Sequence, residues 1–191
     1  MRYTRATVVD RALEVLDRHG LADLSMRRLG AELGVRPSAL YHHVPSKQVL
    51  LAAVADELLA RGRRPAVEQV WDARVVEVCT ALREAMLAYR DGAEVVATAY
   101  AFGLGAGEPA EELLEVLLAA GLPDDVAAVA TRTLLHFVFG HVVDEQTHLQ
   151  AGSAGAIDAP PREGSDFALG LAFVVDGIRV RVAGDRTTTA G

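Results

Sequence analysis

Residues 25–47, Ser-Met-Arg-Arg-Leu-Gly-Ala-Glu-Leu-Gly-Val-Arg-Pro-Ser-Ala-Leu-Tyr-His-His-Val-Pro-Ser-Lys, leave few folds open to this chain. Ser25 is placed to cap a short helix, Leu29 and Leu33 recur at helical spacing, and Gly34 ends the run as a left-handed cap. Pro37 suits the first turn of another short helix carrying Leu40 and Val44, which Pro45 closes. Two short helices joined by Gly34-Val35-Arg36 predict a helix-turn-helix, in which the second helix enters the major groove of DNA. In this reading Ala31 is the small residue where the helices approach, and Val35 plugs their corner.

Turning Leu29, Leu33, Leu40 and Val44 inward leaves Arg36, Pro37, Ser38, Ala39, Tyr41 and His42 on the outer side of the second helix. These residue types can read base edges. Arg pairs bidentately with guanine, Ser donates or accepts, and the Ala methyl or Pro ring meets a thymine methyl. Tyr41 and His43 suit phosphate contacts. Lys47 adds charge at the start of the next helix, where free amides already attract anions. Ser25 and Arg27, at the start of the first helix of the pair, complete the predicted DNA-binding set.

The net charge of −7 looks unsuited to a polyanion until it is divided along the chain. Residues 1–64 carry eleven Lys/Arg against seven Asp/Glu, and the remainder carries eight against nineteen. A basic head gains from counterion release on DNA, and an acidic body orients it.

The rest of the chain reads as helix. Thr4 caps a helix with Val9, Ala12, Leu13 and Leu16 facing inward, stopped by Gly20. Ser46 caps another that runs to Gly62. Further amphipathic segments are expected at about 67–90, 93–101, 108–121, 124–150 and 165–182, with a polar connection over 151–164. No stretch alternates like a strand between hairpin turns. The fold class is all-α with about nine helices. The expected domains are a DNA-binding head over 1–46, a connecting helix over 47–64, an effector-binding and dimerisation body over 65–184, and a disordered tail over 185–191.

Composition narrows the function. The single cysteine, Cys79, cannot form an internal disulfide and is read as core. Residues 1–10 lack the apolar segment of a signal peptide, and the most apolar runs fall short of the roughly 20 residues of a membrane span. A cytoplasmic protein without a membrane partner is expected. No phosphate-binding loop, dinucleotide glycine motif, nucleophile elbow or zinc-protease motif occurs, so neither catalytic residues nor a cofactor are expected. The remaining rival is a helical module whose head binds protein.

Leu24-Ser25 through Gly34-Val35, then Leu40-Tyr41-His42-His43-Val44, Lys47 and Leu50-Leu51, resemble the signature of the tetracycline-repressor family of transcription regulators. Tyr89-Arg90-Asp91-Gly92-Ala93, His136-Phe137 with Gly140, Asp144-Glu145-Gln146 and Phe167-Ala-Leu-Gly-Leu extend the likeness through the body. The resemblance implies a repressor that binds a palindromic double-stranded operator as a homodimer and is released by a small molecule. An activator or a ligand-independent regulator of the same fold is the alternative. It also implies pairing of the last two long helices with those of a second subunit. The apolar residues Val129, Leu134, Leu135, Phe137, Val138, Val142, Phe167, Leu171, Val174, Val175 and Ile178 exceed what one small core needs.

In the family's tetracycline-responsive members a histidine after the Arg-Asp-Gly-Ala run holds the drug's magnesium. Val96 stands at that position here, Ala99 replaces a threonine, and Arg63 replaces a histidine. A valine cannot ligate magnesium, so the effector is expected not to be a magnesium–tetracycline chelate. Effector-lining candidates are Arg63, Trp71, Leu82, Met86, Tyr89, Val96, Tyr100, Phe102, Leu113, Leu117, Phe137 and His141. Independently, His141, Asp144, Glu145 and His148 share one helix face at i, i+3, i+4 and i+7, a spacing open to a divalent metal. A polar interface patch is the commoner use of such a face, and no metal site is assigned.

Overall fold

A computed structural model describes residues 3–153 and 164–188. These residues form nine helices and no strand: α1 Arg5–His19, α2 Met26–Leu33, α3 Pro37–Leu40, α4 Lys47–Gly62, α5 Trp71–Leu87, α6 Gly92–Ala101, α7 Glu108–Ala119, α8 Asp124–Ser153 and α9 Phe167–Thr188. Most of the expected 151–164 connection and residues 189–191 lie outside the described residues. At the expected tail the helical backbone continues to Thr188, because no proline interrupts α9 beyond Val182.

Two compact units emerge, and the boundary between them crosses α5. One comprises residues 1–63 and 84–107, the other 64–83 and 108–191. Within the first, α1 packs on α2 and α4, α2 on α3, and α4 on α6. Its core is Val8, Leu13, Leu16, Leu24, Leu29, Leu40, Leu50, Leu58 and Met86. The helices start where side-chain oxygens replace missing amide partners: Thr4 accepts from Thr7 N–H, Ser25 from Arg28 N–H and Ser46 from Val49 N–H, at 3.1–3.2 Å. Gly34 takes the left-handed cap.

In the second unit α8 packs against α7 and α9, burying Leu113, Leu117, Leu134, Leu135, Val138, Val142, Leu171 and Val175. By length and composition alone α8 could cross a membrane over Asp124–Ala151. Searching for unbroken apolar runs misses it, because scattered polar residues interrupt the run without ending the helix. Most of the apolar residues expected to be surplus are buried within the chain itself. Val129 is exposed as expected, and it is joined by Val143 and Leu149 on α8 and by Leu169, Phe173 and Val180 on α9.

The start of α5 also differs from expectation. Val67 and Val70 lie outside it and are exposed. The Glu77 carboxylate accepts the Val67 and Glu68 amides at 3.1 and 3.3 Å, a side-chain alternative to helical bonding for the segment after Pro65.

Candidate nucleic-acid interface

The α2–α3 pair forms because Gly30, rather than Ala31, stands at the close approach. A Cβ on Gly30 would lie 2.9 Å from the Val35 carbonyl oxygen and 3.3 Å from the Pro37 nitrogen, whereas Ala31 is exposed. The Val35 N–H bonds to the Gly30 carbonyl at 2.9 Å, closing the turn on that contact. Val35 is half-buried in the corner. Tyr3 adds a brace from outside the motif: its hydroxyl donates to the Leu33 carbonyl at 2.5 Å, satisfying an end carbonyl of α2.

Helix α3 is a single turn, with Pro37 at its first position. Tyr41 caps it, and His42 and His43 fall in the turn beyond instead of on the helix. The break follows from Val44, which is fully buried and draws the chain inward just before Pro45. Arg27, Arg36, Pro37, Ser38, Ala39, Tyr41 and His42 are all exposed; Ser25, His43 and Lys47 are half-buried. Tyr41 is 48 % exposed.

Three cations on this surface stand without an internal partner among the described residues. Among the described residues Arg27, Arg36 and Lys47 make no ion pair, whereas Arg28 faces Asp23 at 3.8 Å and Arg11 bonds Glu14. Three arginines of the second unit are paired instead. Arg74 holds Glu77 and Glu112, Arg83 grips Glu145 with two nitrogens, and Arg179 bridges Asp72 and Asp176. Cations left free on one face suit a polyanion, since no internal partner must be displaced first.

The effector candidates divide between the units. In the first, Met86 and Val96 are buried, Tyr89 and Tyr100 half-buried, and Arg63 and Phe102 exposed. Phe102 follows α6 in a turn and is 62 % exposed. In the second, Leu82, Leu113 and Leu117 are buried and Trp71, Phe137 and His141 half-buried. Phe137 and His141 come together, with ring centroids 5.7 Å apart, and both lie against Phe167. Over Phe167 sits the Arg83 guanidinium, 5.2 Å from the ring centre.

This cluster uses the residues weighed for a metal differently. His141 shares a 3.1 Å hydrogen bond with Ser165 and lies 3.7 Å from Glu145, which is bound to Arg83. Among the described residues no three His, Cys, Asp or Glu side chains are grouped to hold a metal. Reading the sequence does not reveal the parts played by Arg83, Phe167 and Ser165, because partners this far apart in the chain share no local pattern.

Family models match both parts of the chain. One describing bacterial regulatory proteins of the tetR family covers residues 8–54, and one describing the tetracyclin repressor-like C-terminal domain covers residues 64–165. The class A tetracycline repressor protein from transposon 1721 of Escherichia coli is 34 % identical, over 92 % of this chain and 90 % of that protein. A crystal structure of BioQ with its double-stranded DNA operator is similar at TM-score 0.82 and 40 % identity, covering 93 % of this chain and 98 % of BioQ. A single-substitution variant of TetR from Acinetobacter baumannii AYE, in complex with minocycline, is similar at TM-score 0.75 and 31 % identity, covering 94 % of this chain and 99 % of that one.

Proposed function

Because this chain belongs to the tetR family of bacterial regulatory proteins, we propose that it is a ligand-responsive transcriptional repressor. It holds a palindromic operator as a homodimer and releases it when a small molecule binds. The observation carrying this reading is the exposed, unpaired face formed by Arg27, Arg36, Pro37, Ser38, Ala39 and Tyr41 on an intact helix-turn-helix.

In this reading residues 1–46 are the DNA-binding head, α4 connects, and residues 65–184 bind effector and partner. Arg36 reads a base, Ser38 and Ala39 line the groove, and Tyr41, His43 and Lys47 hold phosphates, with Ser25, Arg27, Pro37 and His42 beside them. The exposed Leu169, Phe173 and Val180 of α9, with Val129 and Val143 of α8, support pairing with a second copy. Two-fold symmetry then sets half-sites one or more helical turns apart, roughly 34–36 Å per turn. The protein works in the cytoplasm, beside the chromosome, and is not an enzyme.

The effector acts by favouring the dimer geometry that misplaces the reading helices, and DNA must weaken effector binding by the same factor. Within the first unit we assign Met86, Tyr89, Val96 and Tyr100 to it; Leu82, Leu113, Leu117, Phe137 and His141 form a separate candidate set within the second. Trp71, Arg63 and Phe102 are more accessible members of these sets. Val96, fully buried and apolar, offers no metal ligand, which supports an effector other than a magnesium–tetracycline chelate.

A gel-shift titration of the chain's own upstream region tests this function. Binding should prefer that region over a scrambled duplex and weaken steeply with added salt. Affinity indifferent to both sequence and salt would overturn it in favour of a protein-binding module.

A further inference from the structure

Three consecutive residues between α5 and α6 hold the first helix of the head. Asp91 accepts the Leu21 backbone N–H at 2.6 Å. The Arg90 backbone N–H donates to the Asp17 carboxylate at 3.3 Å. Tyr89 bonds the guanidinium of Arg61, which also binds Glu57 on α4 and Asp10 on α1. The corner therefore meets α1 near its end and just beyond it, and reaches its middle only through Arg61 of α4.

The local chemistry is specialised for this grip. Asp91 holds φ 55, a left-handed conformation that aspartate adopts more readily than most residues with a side chain. Gly20 lies beneath the corner: a Cβ there would come within 2.8 Å of the Asp91 carboxylate and 3.1 Å of the Arg90 side chain. A left-handed turn on one side and a missing side chain on the other together allow the carboxylate to reach the Leu21 amide.

We propose that Tyr89-Arg90-Asp91 is a positioning joint that sets where the head stands, acting on α1 directly as well as through α4. The corner carries no residue of the reading face, so its effect is on the placement of α3 and not on base recognition. This inference rests on the proposed DNA-binding homodimer.

The test separates placement from reading. Operator affinity is measured for the full chain on a duplex with native half-site spacing, on one lengthened by one base pair, and on a single half-site. Asp91→Gly removes the carboxylate while suiting φ 55, and Asp17→Ala removes the Arg90 contact. Each should lower the preference for native spacing, by about ten-fold for Asp91→Gly, the worth of one charge-assisted hydrogen bond. Single half-site affinity should be unchanged. Asp91→Asn, which keeps an acceptor oxygen and tolerates the left-handed region, should restore the preference. An unaltered spacing preference in folded Asp91→Gly, or a parallel loss of half-site affinity, would overturn the joint. A wild-type chain that ignores operator sequence or half-site spacing would instead overturn the DNA-binding dimer reading itself.

Discussion

Gly30 and Val35 meet so closely that a Cβ on the glycine would lie 2.9 Å from the valine's carbonyl oxygen. Backbone atoms cannot rotate aside as a side-chain end can, so any larger residue must part α2 from the α2–α3 turn. Gly30→Ala is therefore expected to destabilise the chain by about 1–3 kcal/mol and to weaken operator binding further in the fraction that folds. Ala31→Ser, one residue along on the exposed face, should change neither. Thermal unfolding and operator titration of both variants check this contrast.

That pair also shows how far the sequence could be read. Thr4, Ser25, Ser46, Gly20 and Gly34 act within three or four residues of themselves, so their capping roles were legible. The choice between Gly30 and Ala31 was not, because it depends on how α2 rolls against the following turn. Val67 and Val70 fit a helical period, yet the Glu77 carboxylate takes the nearby amides and α5 begins at Trp71. In the site, exposure of Arg36 and Tyr41 followed from apolar spacing alone. The Tyr3–Leu33, Asp91–Leu21 and Arg83–Glu145 bonds span 30, 70 and 62 residues, and no local pattern encodes them.

Val96 determines a second expectation. Its side chain is fully buried on α6 and offers no ligand atom to a metal. Tetracycline added with magnesium should leave the operator complex intact at concentrations that dissociate a tetracycline repressor run in parallel. Release of DNA by the chelate would show that another residue takes the histidine's place.

Cys79 is fully buried on α5, and desolvation pushes its thiol up to about 12. At about pH 8 the thiolate is scarce and shielded, so a thiol-specific chromogenic reagent should react only as fast as the native chain opens. Adding denaturant should bring reaction of one equivalent within seconds. Equally fast labelling of the native protein would contradict a core role for this residue.

Asp72 is held below the ordinary aspartate range, chiefly by its hydrogen bond from Arg179 and further by the Ala73 amide, against the opposing effect of burial. A depressed carboxylate contributes stability above its unfolded value and loses it as pH falls through the folded one. Arg179 is half-exposed, so solvent screens the pair and its contribution is small. The melting temperature of the wild type should exceed that of Asp72→Asn slightly near neutral pH. This gap should close as pH falls below the ordinary aspartate range and Asp72 is protonated in the folded chain. A gap independent of pH would assign the effect to packing.

The most direct test of the central claim, that the α2–α3 face reads an operator, is selection of binding sites from a random duplex pool by wild type and Arg36→Ala in parallel. The wild type should enrich a palindrome whose half-sites lie a whole number of helical turns apart. Arg36→Ala, with its fold intact by circular dichroism, should lose discrimination at one base position per half-site, worth about 1–3 kcal/mol. Failure of the wild type to enrich any sequence, or recovery of the same motif at the same stringency by the variant, would contradict the assignment of this face.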